Sequence, residues 1–342
     1  MHHASVFVSV TAAGVLAGAL LSAPAAAQSS EADFFKGKTI QVQIGFGPGG
    51  NNDQWARVVA RHIGKHIPGN PNLVPQNVPG AGGLKVTNSL YNVAPKDGTV
   101  WGVVARGLPL EPLMGGKGIQ FDPLKLTYIG SPARDTTVCA VTRETPVKTI
   151  EDFLKTEVVV GSTGSGAETH VMPQLLENVL GMKFRIVAGY KGSTEILLAM
   201  ERQEVQGICI AYESLSRRAP FKEGRFRAAF QASLEPDPDL KGVPHVFDLK
   251  MSPEQRQVLE LIFVRDVIGR PFIAPPGLPA ARVKTLQDAF AATMKDPAFV
   301  ADAKKQNLTI TLVPGPALAK VVADAYKAPP EVVKRAAAAM GR

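Results

Sequence analysis

Short apolar runs alternate with amphipathic stretches along this chain, and that alternation predicts an α/β protein. Thr39 to Gly45 reads as a first strand. Asp53 to His66 reads as a first helix, with Trp55, Val58, Val59, His62 and Ile63 on one face at helical spacing. Asn51 or Asn52 is its expected N-cap, and Asp53 and Arg57 are spaced to pair at i,i+4. Leu73 to Val78 is a second strand, Leu84 to Val93 a helix and Thr99 to Val104 a third strand. Further strands fall at Leu126 to Ile129, Thr137 to Val141, Glu157 to Val160, Phe184 to Ala188, Val205 to Ala211, Arg225 to Phe230 and Phe272 to Ala274. Helical patterns cover Thr149 to Leu154, Val171 to Leu180 and the stretch from Ser193 to about Met200. The last third reads as mainly helical: Pro253 to Val264, Ala280 to Lys295, Pro297 to Gln306, Pro316 to Tyr326 and Glu331 to Met340.

Three strand-to-helix turns share one design, rich in Gly, Ser and Thr. They are Phe46 to Asp53, Pro79 to Gly83 (with Ala81 and Gly82) and Gly161 to Ser165; Tyr190 to Ser193 is a weaker fourth. Such turns aim backbone N–H groups outward at a helix start, where the helix dipole favours an anion. In open α/β sheets these turns lie beyond the carboxyl ends of the strands, the usual place for a ligand. Glycine is also the ordinary residue of a tight turn, so the argument rests on several such loops sharing one cleft.

The first turn spells Gly45-x-Gly47-x-x-Gly50, the dinucleotide fingerprint. That site needs an acid about 20 residues on to hold the ribose. "NLVPQNV" (72–78) offers Gln76 and Asn77 instead, and the strand after "GSTGSG" also ends without an acid. No Gly-Lys-Ser/Thr follows any turn, so there is no P-loop. No cofactor is expected.

Catalytic and metal readings are thin. Ser162 and Ser165 lie outside a Gly-x-Ser-x-Gly elbow. Either could pair with His170, which keeps an exported hydrolase or isomerase as the alternative; His170 otherwise supports its loop or faces the cleft. His62 and His66 stand at i,i+4 without a third ligand nearby, so no metal site is expected.

Val6 to Leu21 is apolar and uncharged, and Ala25-Ala26-Ala27 supplies small residues before Gln28. This reads as a secretory signal cleaved after Ala27, although its start carries His2 and His3 in place of Lys or Arg. The run is short for a membrane anchor. Export argues further against a nicotinamide enzyme. The net charge of +8 falls after the signal and suits anionic ligands or a membrane surface, although many secreted proteins are basic for no specific reason. No dense Lys/Arg block or aromatic array indicates nucleic acid. Cys139 and Cys209 sit in apolar runs. An oxidising compartment permits a disulfide, and two buried free thiols are the alternative; sequence cannot place their Cα atoms within bridging distance, so both stay open.

"GPGGNNDQWAR" (47–57), "NVPGAGG" (77–83), "YNVAPKDG" (91–98), "AGYKGSTEILLAMERQEV" (188–205) and "RPFIAPPGLPAARV" (270–283) occur in one order. Together they resemble the extracytoplasmic solute receptors of tripartite tricarboxylate transporters, the Bug/TctC-type family, across the chain after the signal. The resemblance implies a two-lobe, type II-like periplasmic binding protein. Each lobe would be a Rossmann-like sheet flanked by helices, joined by a two-strand hinge. Residues 31–126 plus 232–342 would form the first lobe and 127–231 the second. The implied partners are a small carboxylate (a di- or tricarboxylic, amino or aromatic acid) and the membrane permease subunits, with the receptor a monomer. A ligand-sensing module would use the same physics.

By the same resemblance, the loops at Gly47 to Asp53 and Gly161 to Ser165 hold one carboxylate through backbone amides. The expected contacts are Phe46, Gly47, Pro48, Gly49, Gly50, Asn51, Asn52, Asp53, Ala81, Gly82, Ser162, Thr163, Gly164, Ser165, His170, Tyr190, Gly192 and Ser193, with Tyr212 and Glu213 at the distal end for specificity. Asn52 departs from the threonine or aromatic residue common in the family. A cleft-facing Glu213 disfavours a second carboxylate unless a cation lies nearby, for which Lys191 is the candidate.

Overall fold

The computed structural model describes Met1, residues 31–164 and residues 167–342. The expected signal segment and Ser165 lie outside the described residues. The strands, in chain order, are β1 (Thr39–Ile44), β2 (Asn72–Asn77), β3 (Val100–Val103), β4 (Thr127–Ser131), β5 (Thr137–Thr142), β6 (Val158–Ser162), β7 (Phe184–Ala188), β8 (Gly207–Ala211), β9 (Phe226–Ala232), β10 (Phe272–Ala274) and β11 (Val313–Pro314). They form two sheets. One has the order β11-β4-β10-β3-β1-β2, the other β7-β6-β8-β5-β9.

Period-two burial builds β1: Ile40, Val42 and Ile44 are buried while Thr39 and Gln41 face out. β1 runs parallel to β2 and β3. Helix α1 (Asn51–Ile63) supplies the crossover, laying Trp55, Val58 and Val59 on the sheet. Helix α2 (Leu84–Asn92) buries Val86 and Leu90 in the same manner. In the second sheet β6 runs parallel to β7 and β8, and β5 lies antiparallel between β8 and β9. The remaining helices are α3 (Glu168–Leu180), α4 (Ser193–Glu201), α5 (Tyr212–Ser216), α6 (Ala219–Lys222), α7 (Pro253–Ile268), α8 (Ala280–Thr293), α9 (Pro297–Lys305), α10 (Gly315–Ala325) and α11 (Pro330–Ala339). No helix among the described residues is long and apolar enough to cross a membrane.

The chain crosses between the sheets after β4 and again after β9. One segment sits apart from the expected boundaries. Thr127–Ser131 pairs with β10 and β11 and so belongs to the first sheet, moving the first crossing to residues 132–136. Helix α11 packs on α7 and on α3 of the second lobe, and Asn178 donates to the Ala339 carbonyl at 2.9 Å.

The open question of the two cysteines is decided by strand register. Cys139 on β5 lies directly opposite Cys209 on β8, with Cα atoms 4.0 Å apart, and the two form a disulfide. The pairing depends on antiparallel register between strands 70 residues apart, which no local pattern reveals.

Candidate functional site

The turn from Phe46 to Asp53 is organised by one buried carboxylate. Asp53 accepts the Gly49 N–H at 2.8 Å, Arg57 Nε at 2.9 Å and Asn77 Nδ2 at 2.8 Å. Asn77 also donates to the Phe46 carbonyl at 2.9 Å and accepts from Arg57 Nη2 at 2.7 Å. Burial pushes the Asp53 carboxyl up, but the Arg57, Gly49 and Asn77 hydrogen bonds outweigh it and hold it below the usual carboxylate range. The expected Asp53–Arg57 pair is therefore present. The expected asparagine cap is not: Gly50 occupies the N-cap position and no side chain caps α1. Gly47 to Gly50 are exposed, with Asn51 and Asn52 half-buried behind them.

The Ala81–Gly82 turn packs beside this loop. The Gly82 carbonyl takes the Ala105 N–H at 2.9 Å, and a side chain on Gly45 would strike the Gly83 backbone. Across the cleft, the Gly164 N–H is bound by Ser162 Oγ at 3.1 Å and the Thr163 N–H by Thr169 Oγ1 at 3.1 Å. Those two amides, expected to hold ligand, are committed to their own loop. Helix α3 starts after Ala167 and α4 after Gly192, and neither has a side-chain cap. Away from the cleft, α7 and α9 are capped by Ser252 and Asp296, whereas α8, α10 and α11 have no side-chain cap and start after or at prolines. Tyr190 is tied to this group through its N–H to the Ser162 carbonyl at 3.3 Å. Ser193 opens α4, and the Glu195 carboxylate takes the Lys191 N–H at 2.6 Å.

The loops of the two sheets face one another directly. Asn51 Nδ2 donates to Glu213 Oε2 on α5. Arg217 donates to Asn51 Oδ1 and Gln54 Oε1, both at 3.3 Å. Arg106, from the loop after β3, reaches Thr137 Oγ1 at 3.1 Å and the Glu168 carboxylate at the start of α3.

Beneath these contacts lies a buried ionic cluster that the sequence did not disclose. Arg106 Nη1 stands 3.0 Å from both Asp135 and Asp266, and Arg270 Nη2 stands 3.1 Å from Asp135 and 2.7 Å from Glu213. Asp266 and Arg270 stand four residues apart, but no spacing links them to Arg106, Asp135 or Glu213. Burial raises the Asp266 carboxyl to about 7, with Arg106 and Arg265 offsetting part of the rise. Burial also lowers Arg106 despite the Asp135 and Asp266 carboxylates. Burial pulls Arg270 down as well, yet Asp135 and Glu213 more than compensate. Arg270 is delivered by Gly269, whose φ of 62° and close approach to the Ala133 carbonyl exclude a side chain. The Arg270 N–H is then fixed by Ser131 Oγ at 2.8 Å. Arg270, with Asn51, is thus what meets Glu213, in the place expected of Lys191; the Lys191 residue is exposed.

A cavity of about 430 Å³ opens beside the hinge crossings and includes Asp135, Tyr212, Glu213 and Asp266. Tyr212 and Glu213 line this cavity, whereas the glycine loops do not. Burial raises the Tyr212 phenol, with Asp239 and Asp237 adding to the shift.

The other candidates resolve simply. His62 meets Asp302 at 2.9 Å and His66 meets Asp296 at 2.8 Å, both outside the cleft. No group of metal-binding side chains occurs among the described residues. Ser162 Oγ bonds within its own loop, and the buried His170 Nδ1 has no hydrogen-bond partner among the described residues, so the two do not form a nucleophile–base pair.

Residues 55–337 match the model of a family described as "Tripartite tricarboxylate transporter family receptor". The chain is 29% identical over 296 residues to a UPF0065 protein from the gbd 5' region of Cupriavidus necator, covering 84% of this chain and 83% of that one. Among solved structures, a TctC solute-binding protein from Polaromonas matches with a TM-score of 0.67 at 22% identity, over 84% of this chain and 95% of that one. MatC from Rhodopseudomonas palustris, solved with bound malate, matches with a TM-score of 0.64 at 19% identity, over 86% and 99%.

Proposed function

Since the chain belongs to the tripartite tricarboxylate transporter receptor family, we propose that this solute-binding protein captures a small carboxylate between its lobes and delivers it to a tripartite tricarboxylate-type permease. The observation that carries the reading is the state of the helix ends. Helix α1 from one lobe and helices α3 and α4 from the other begin in the Gly-rich turns with no side-chain cap. Helix starts of this kind offer amide donors and a positive dipole end to an anion without burying a formal cation. Arg106 and Arg270 are already paired with carboxylates, whereas Arg217 is held only by amide and backbone oxygens of Asn51, Gln54, Gln306 and Glu213, so the backbone donors and Arg217 are the available anion receptors. The malate complex of MatC supports the same ligand chemistry.

The contact set is then Phe46 to Asp53, Ala81 and Gly82, Ser162 to Ser165, His170, Tyr190, Gly192 and Ser193, with Tyr212 and Glu213 beyond them; Thr163 and Gly164 shape the loop while their amides stay bonded within it. The receptor acts in the periplasm as a monomer after cleavage behind Ala27. Lobe closure over the ligand is the signal that the permease reads. Native mass spectrometry of freshly purified protein should show a retained small acid, and the same acid should raise the melting temperature in a concentration-dependent way. If a broad panel of carboxylates leaves the melting temperature unmoved, the proposal fails.

A further inference from the structure

Helix α5 of the second lobe grips one side chain of the first lobe at both ends of its amide. Glu213 Oε2 accepts from Asn51 Nδ2, and Arg217 Nη2 donates to Asn51 Oδ1 at 3.3 Å. A carboxamide suits both partners at once, since it offers a donor to the carboxylate and an acceptor to the guanidinium. The grip extends to either side. Arg217 Nη1 donates to Gln54 Oε1 at 3.3 Å and to the Gln306 carbonyl, just past α9, at 3.5 Å. Arg270, ahead of β10, donates to the same Glu213 oxygen at 2.7 Å. Arg217 is aimed by its own Nε, which donates to the Glu213 carbonyl at 2.9 Å.

These contacts cross from the lobe of the second sheet to that of the first, and they meet at Asn51, the first residue of the uncapped α1. Glu213 and Arg217 also stand four residues apart along α5, the spacing at which a glutamate and an arginine on one helix pair with each other. Here the Asn51 carboxamide is inserted between them instead. The same two charges therefore have two satisfied arrangements, one across the lobes and one within α5.

We propose that Asn51 and Arg217 are positioning residues that latch the lobes. The Asn51 carboxamide, held between Glu213 and Arg217, stabilises the closed arrangement, and Glu213 and Arg217 pair with each other when the lobes part. Every atom of the latch belongs to the protein, so it acts with or without ligand. A ligand at the α1 start then supplies only the rest of the closing free energy. The latch stands on these contacts alone; its effect on ligand release rests on the functional reading above.

Spin labels on Lys36→Cys and Arg202→Cys, exposed positions on the two lobes, report lobe separation in the full chain by pulsed dipolar spectroscopy with no ligand added. Arg217→Met and Asn51→Asp should both shift the distances longer, the second because it sets a carboxylate against Glu213. Adding Glu213→Gln to Asn51→Asp should return the parent distribution. The new amide can donate to the new carboxylate while its oxygen still serves Arg270, a rescue that a packing role would not show. This pair decides the matter if Arg217→Met fails to fold. Distances unmoved by Asn51→Asp, or no recovery in the double variant, overturn the latch.

The tightest binder among succinate, glutarate, glutamate and benzoate should leave Gln54→Ala about threefold faster than the parent in stopped flow, with entry unchanged. Unchanged release from a variant whose lobes have parted overturns the latch's role in holding ligand. If none of these acids binds, the functional reading fails, while the lobe separations still decide the latch.

Discussion

Asp53 Oδ2 stands 2.8 Å from the Gly49 amide nitrogen and accepts its N–H, closing the first glycine turn from inside helix α1. The same carboxylate holds Arg57 and Asn77, so one side chain sets the shape of the loop. Asp53→Ala leaves the Gly49 N–H and Asn77 Nδ2 without this acceptor and should cost about 1–3 kcal/mol of stability, read by denaturant unfolding. The folded-state carboxyl lies below its unfolded value of 3.8. Its contribution is therefore complete above that value and is lost as pH falls through the lower folded one. The variant should show a shallower acid limb than the parent, and parallel acid limbs would argue against the assignment.

Gly50 offers a test in which stability and binding move in opposite directions. Its φ of −77° and ψ of 168° suit any residue, and no atom lies within 4 Å of a Cβ built there. Gly50→Asp supplies the missing cap to α1 and should hold or raise the melting temperature, since Asp caps slightly better than Gly. The added carboxylate also competes for the same amides. Ligand affinity should fall at least tenfold, and unchanged affinity would remove the α1 start from the site.

Arg106 is the hub of the buried cluster, with Asp135, Asp266 and Glu168 around one guanidinium. Arg106→Met strands these carboxylates and should destabilise the protein by about 3–5 kcal/mol. Arg106→Lys should recover only part of the loss, because an ammonium cannot reproduce the planar fork. Melting curves of the pair decide this, and equal curves for Lys and Arg would contradict it.

Asp266 carries the opposite pH signature to Asp53. Its folded carboxyl sits at about 7, above the unfolded 3.8, because burial disfavours the charge. The folded state binds more protons in that window, so this group's contribution is complete below about pH 4 and is lost as pH rises through 7. Asp266→Asn should abolish that decline between about pH 4 and 7. An unaltered slope of stability against pH would place the titration elsewhere.

Cys139 and Cys209 tie the neighbouring strands β5 and β8. Reduction, or replacement of both by Ala, should lower stability by about 2–4 kcal/mol. The loss should appear in chemical denaturation with and without reductant, and a curve unmoved by reductant would count against the bridge.

The alternation of period-two and period-3.6 segments was enough to place nearly every strand and helix, since those periods report directly on one buried face per element. The glycine turns were legible too, because a strand that ends in Gly-rich chain before an amphipathic run leaves a helix start open. The Asp53–Arg57 pair was legible for the same local reason. What the sequence could not supply were relations between distant segments: the Cys139–Cys209 register, the placement of Thr127–Ser131 in the first sheet, and the meeting of Glu213 with Arg270 instead of Lys191. Asp266 and Arg270 are four residues apart, but neither shares a period or motif with Arg106 or Asp135, and only the two crossings between the sheets bring all four together. Local sequence determines elements because backbone and burial periods are local. Charge partners across a hinge are decided by tertiary packing, which is where the open acceptors of Asp266 and Glu213 arise.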